Sequence, residues 1–324
     1  MSPPNGAFAG SPGLLAAAAR QDRAGATGMA ISDNARGASF MMASMACFTI
    51  NDAFMKSMAG EIPLFELIFL RGIGSIVTLL VIARWLGMLH LGFPARDRRF
   101  VAIRSVAEIG STVCFLIALF NMPLANISAI FQALPLAIAL AAILFLREKI
   151  DRAQLIAIVV GFGGVVLIVQ PGGAGFNIYS LVALGSVVCV VVRDLVVRPM
   201  SSEVPSLIVA LGAAVAVTVA AGLLSVSENW VMPSTKQAGA ILGAMAFLVA
   251  GYFCSVMTMR VGNLGFVAPF RYTGLLWALV LGLAVFGDWP DELTVTGAAI
   301  IVATGLFTLL RERRRNLSGS PAKA

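Results

Sequence analysis

Acidic and basic side chains recur four residues apart inside long apolar runs of this chain. Asp52 and Lys56 lie in Cys47–Met58, and Asp194 and Arg198 lie in a near twin, Cys189–Met200. An acid and a base at that spacing share one helix face. Ionised groups at bilayer depth are costly and usually line a polar path or the bundle interior. The chemistry they suit is recognition and passage of a charged solute, with the two pairs as gates or as partners for solute charges. The other reading is that each pair neutralises itself at the interface while Lys56 and Arg198 snorkel to water. Arg193 directly precedes Asp194 in the second copy.

Further ionisable residues fall between these pairs. One apolar run carries Glu66 and Arg71, and the next carries Arg104 and Glu108. At about 1.5 Å of rise per residue, Arg71 and Glu108 sit near the bilayer centre. Either a wet cavity or a static salt-bridge network must hold them there. Gln132 and Arg271, at similar depth in two later runs, lie close to Pro135 and Pro269. A proline removes a backbone donor and frees a carbonyl, so both helices should kink beside a polar side chain, either to meet a solute or to bend around a packed core. Phe115, Phe131, Phe270, Tyr272 and Trp277 could stack on a flat ligand or could pack against lipid.

These residues need membrane helices to position them. Of 324 residues 59% are hydrophobic and 12% charged, and the mean hydropathy is +0.92, more apolar than one soluble core can hide. Ten apolar segments follow at 38–58, 63–83, 100–120, 124–146, 152–170, 178–198, 204–224, 237–257, 263–286 and 292–310, each near the length of about 20 residues that spans a hydrocarbon core. Short connections such as Ile62-Pro63 and Pro171-Gly172-Gly173 make neighbours antiparallel. Residues 1–36, rich in Ala, Gly, Ser and Pro, read as a disordered tail, with Met29 as an alternative start, and residues 313–324 as a basic tail. Most Lys and Arg, including Arg84, Arg96, Arg147, Arg198, Arg260 and Arg311, fall in one set of loops, whereas Lys236 stands in the other. The positive-inside rule then puts both termini in the cytoplasm.

A repeat organises the segments. Glu61-Ile62-Pro63 matches Glu203-Val204-Pro205 at the offset that also relates Asp52 to Asp194, and Cys114 matches Cys254. Five segments per half is an odd number, so the second copy, 178–312, must be inserted upside down relative to the first, 37–170. Small residues four apart, Ala157 with Gly161 and Ala299 with Ala303, suit close helix packing inside the bundle or at a homodimer face.

Several function classes lose support. The single histidine, His90, lies in a loop, so metal-dependent or His-based chemistry lacks a ligand set. No phosphate loop and no Cys-x-x-Cys pair occurs, and the four cysteines read as small packing residues. No cofactor, metal or nucleic-acid partner is expected.

Ala129-Ile-Phe-Gln-Ala-Leu-Pro135, running into Leu146-Arg-Glu-Lys149 and Gly161-Phe-Gly-Gly-Val-Val-Leu-Ile168, together with Asp52-x-x-x-Lys56, resembles the drug/metabolite transporter superfamily in its ten-helix form built from two EamA domains. The resemblance covers about residues 37 to 312. The forms around Asp52 and Arg193-Asp194-Leu195 are similar to proteobacterial carriers described as metabolite or S-adenosylmethionine uptake proteins, with riboflavin carriers as relatives. It implies an inner-membrane carrier whose cavity lies between the third, fourth, eighth and ninth helices, with contributions from the first and sixth. Gly287-Asp288-Trp289 departs from the Gly-Glu that usually precedes the last helix.

The expectation is an all-α membrane protein of two inverted five-helix repeats. It would move a small polar or zwitterionic, amino-acid-derived metabolite by alternating access, with Arg71, Glu108, Gln132, Arg271, Tyr272 and Trp277 around the solute. Asp52, Lys56, Asp194, Arg198, Arg193, Arg104 and Glu66 would form gates and ion pairs. Riboflavin uptake and metabolite export are alternatives within the class, and a membrane-embedded enzyme on a lipid-linked substrate is the alternative outside it.

Overall fold

Among the residues described by the computed structural model, 12–85, 98–146, 152–173, 176–197, 206–261 and 264–318, all regular structure is helical. The elements are α1 (Pro12–Ser57), α2 (Leu64–Trp85), α3 (Arg98–Asn121), α4 (Leu124–Phe131), α5 (Leu134–Leu146), α6 (Arg152–Val169), α7 (Ile178–Val197), α8 (Ser206–Ser225), α9 (Thr235–Val261), α10 (Leu264–Val267), α11 (Thr273–Leu281) and α12 (Glu292–Ser318). A tight 3-10 turn, Ala268–Tyr272, joins α10 to α11, and a π turn, Gly282–Phe286, follows α11. Helices are what such apolar runs must form, because hydrocarbon leaves no partner for an unpaired backbone N–H or C=O. The expected segments reappear, most ends displaced by a residue or two. Helical backbone reaches back to Pro12, into the segment expected to be disordered, and α12 continues into the basic tail. Alanine in the one and arginine in the other are strong helix formers that extend the neighbouring helix at no nucleation cost.

Among the described residues, eight helices are long and apolar enough to cross a membrane, with α4 and α5 acting as one span. The apolar stretch of α1 lies outside that set, since it is diluted by Asn51, Asp52 and Lys56, and α8 adds the apolar stretch Leu211–Ser225. Exposed Val81, Val106, Phe145, Val159, Leu223 and Leu242 coat the outer faces. That is the side-chain chemistry hydrocarbon accepts.

α1 runs along α9, α3 along α7, α2 along α8, and α6 along α12. The α6–α12 crossing is set by two glycines. A Cβ on Gly297 would come 2.5 Å from the carbonyl oxygen of Gly164, and one on Gly164 would come 2.7 Å from that of Gly297. Backbone meets backbone there, the approach that small residues permit in membranes. Ala157 is buried, and a Cβ on Gly161 would run into Leu136, so that pair serves internal packing. Ala299 and Ala303 instead face outward, along an apolar groove between α4, α11 and α12.

Candidate functional site

The helices enclose a cavity of about 610 Å³. Two of its walls are breaks in otherwise continuous spans. Pro135 cannot donate to the carbonyl one turn back, and the chain turns through Gln132 and Ala133 between α4 and α5. Pro269 sits in the 3-10 turn that carries Arg271 and Tyr272. Both Gln132 and Arg271 therefore leave a discontinuity and line the cavity, Arg271 with an exposed side chain. Gly274 keeps the facing wall low: a Cβ there would lie 3.7 Å from the Gln132 amide nitrogen.

The remaining polar lining comes from α1, α2, α3, α7 and α9, with Ser128 of α4 and Gln154 of α6. Arg193 of α7 donates to the Glu108 carboxylate at 3.2 Å and, through Nε, to Asp194 at 2.8 Å, while Arg104 stands 4.0 Å from Glu108. These four groups form a closed network of two cations and two anions. Asn51 of α1 donates to Asp52 at 2.9 Å. Asp52 and Arg71 face each other within electrostatic range without forming an ion pair. Edge-on ring pairs, Phe48 with Tyr252 at 5.4 Å and Phe115 with Phe131 at 5.0 Å, supply the apolar part of the wall.

Not every expected site residue joins this cluster. Lys56 does not reach Asp52. Its ammonium donates to the carbonyl oxygens of Leu119 and Met122 at 3.2 and 2.6 Å and lies over the Phe286 ring. The last turn of α3 offers unpaired carbonyls that suit a cation better than a shared face with Asp52 does. Glu66 is fully buried at the start of α2, away from the cavity, where it accepts from the Val231 N–H at 3.0 Å. Trp277 is 39% exposed on the outside of α11 and does not line the cavity, because the 3-10 turn aims Arg271 and Tyr272 inward and Trp277 follows on the opposite face. Phe270 packs on Phe266 rather than on the cavity. Tyr272 lines one edge, largely buried over Gly305. Arg198 lies outside the described residues, as do Glu203 to Pro205 and His90.

Several polar lining residues have no place in the sequence analysis, Asn51 and Tyr252 among them. The repeat held a signal for both. Asn51 is the counterpart of Arg193, and Tyr252 precedes Cys254 by two residues, as the cavity-lining Thr112 precedes Cys114.

Residues 35–170 match the EamA-like transporter family. The S-adenosylmethionine uptake transporter of Rickettsia conorii is 25% identical over 281 residues, covering 86% of this chain and 94% of that protein. The pseudopaline exporter of Pseudomonas aeruginosa is 27% identical over 269 residues, covering 81% and 92%. A protein of known crystal structure shares the fold with a TM-score of 0.61 at 18% identity, over 87% of this chain and 99% of that one. Residues 35–170 thus match an EamA-like transporter domain, and over most of its length the chain is similar to multi-pass membrane transporters rather than to enzymes.

Proposed function

We propose that this protein is a secondary carrier of the bacterial plasma membrane. It moves a small polar or zwitterionic, amino-acid-derived metabolite by rocking two inverted five-helix halves, residues 37–170 and 178–312, about a central site. The observation that carries this reading is that the cavity lining comes in matched positions from the two halves: Asn51 with Arg193, Glu108 with Leu248, Thr112 with Tyr252, and Gln132 with Arg271. Helix pairing supports it too. Exchanging the halves turns α1 on α9 into α7 on α3, and leaves α2 on α8 and α6 on α12 unchanged. A site between such halves, at paired helix breaks, is the construction alternating access requires.

The lining runs along α5 from Leu134 to Ala142 and takes in Gln154 at the start of α6, toward the end where the basic loops gather. That end is cytoplasmic by charge bias, with both termini on the same side. At the other end Lys56 ties α1 to the last turn of α3. This geometry fits an inward-facing state in which Lys56 holds the outer side shut.

Counterflow in proteoliposomes tests the carrier reading. Arg271→Ala should abolish solute exchange while leaving expression and thermal unfolding near those of the parent, and Glu108→Gln should abolish exchange in the protein that remains folded. Full exchange by both variants would reduce these residues to structural parts.

A further inference from the structure

Resting on the carrier reading, we propose that the solute is an amino dicarboxylate. It carries one more negative than positive charge, its carboxylates are taken by Arg271 and Arg71, and its ammonium is taken by Asp52. Charge inside the cavity is unbalanced. Arg104, Arg193, Glu108 and Asp194 neutralise one another through contacts of 2.8 to 4.0 Å. That leaves Asp52, Arg71 and Arg271 as the ionisable acid and bases of the lining outside the network. Among the described residues no carboxylate oxygen comes within 4.0 Å of either remaining guanidinium. Asp194, the acid whose charge acts on Arg271, is already held by Arg193.

The lining therefore carries one surplus positive charge. Protonation of any carboxylate in it would only enlarge that surplus. Once the cavity closes around a solute, its charges are withdrawn from bulk water and are costly until paired and hydrogen-bonded, so the solute that binds best is the one that completes the set. Guanidinium groups present paired donors that match a carboxylate, which makes two free arginines a site for two carboxylates rather than for two cations. Asp52 spends one oxygen on the Asn51 amide and keeps acceptor capacity for an ammonium.

The repeat shows where this polarity arises. At the two helix breaks the first half places an amide, Gln132, and the second half a guanidinium, Arg271. The ring pairs Phe48 with Tyr252 and Phe115 with Phe131 add an apolar wall. A cavity of about 610 Å³ has room for an aromatic or aliphatic portion beyond the charged groups. A solute with a net positive charge, such as S-adenosylmethionine, would add to the surplus instead of cancelling it.

Three dipeptides of one shape and different charge test this: glutamyl-tyrosine, glutaminyl-tyrosine and lysyl-tyrosine, with S-adenosylmethionine as a fourth probe. Ligand-dependent thermal stabilisation of the purified full chain should rank the glutamyl peptide first. Arg271→Gln should weaken its binding by roughly 30-fold or more, and Arg271→Lys by less. Each variant's unfolding temperature without ligand checks that it is folded. Equal or better stabilisation by the neutral or cationic probes, stabilisation by none of the four, or an unchanged preference in Arg271→Gln would overturn the charge assignment. Counterflow of the bound probe keeps the two claims apart. Binding without exchange defeats the carrier reading, whereas exchange of the cationic probes alone defeats this inference and leaves the carrier standing.

Discussion

Lys56 donates to the carbonyl oxygen of Met122 across 2.6 Å, so the end of α1 is held to the end of α3 rather than to its own Asp52 one turn earlier. A charge-assisted bond to carbonyls that have no helical partner contributes about 1.5–3 kcal/mol. Lys56→Met should lower stability in detergent by that amount. If Lys56 is also the outer latch, the variant should shift accessibility of a cysteine placed near Phe115 toward outside reagents. A variant as stable as the parent, with unchanged labelling, would remove Lys56 from both roles.

The Arg193 network predicts non-additive energetics. Removing one partner of a buried ion pair leaves the other uncompensated, which costs more than removing both. Glu108→Gln and Arg193→Gln should each destabilise, and the double variant should recover part of the loss, with a coupling of about 1–3 kcal/mol. Thermal or denaturant unfolding of the four proteins measures it, and strict additivity would mean the contact at 3.2 Å carries no energy.

Gly297 tests the α6–α12 crossing. Its Cβ would land 2.5 Å from a backbone oxygen that cannot move aside. Gly297→Ala should therefore cost about 1–3 kcal/mol by overpacking. Gly163 in the same helix pair meets nothing within 4 Å, and Gly163→Ala should be neutral or slightly stabilising because alanine is the better helix former. Similar unfolding temperatures for the two variants would contradict the close approach.

Asp291, in the loop before α12, gives a pH signature outside the membrane spans. Burial pushes its carboxyl up, but hydrogen bonds donated by Thr294 and Gln170 outweigh that and hold it below the usual range. A carboxyl depressed in the folded state adds stability above its unfolded pKa of about 3.9, and that stability is lost as pH falls through the folded value. The unfolding temperature of the parent should exceed that of Asp291→Asn at neutral pH, and the gap should close below about pH 4. A gap that persists in acid would assign the effect to shape rather than charge.

The chain alone settled its ten helical segments and their short connections. Both follow from local physics, because hydrocarbon demands about 20 apolar residues per helix and proline and glycine end them. Matched short stretches such as Asp52 with Asp194 pointed to the repeat, and the depth of Arg71, Glu108, Gln132 and Arg271 marked the residues that now line one cavity. Which of two nearby charges a side chain chooses was decided only in three dimensions. Asp52 with Lys56 satisfies every rule of spacing, yet the carbonyls at the end of α3 come from 63 and 66 residues away and no local pattern announces them. Trp277 and Tyr252 make the same point in opposite directions. One aromatic is turned outward and the other inward by helix rotation, which is set by packing against distant helices and not by composition.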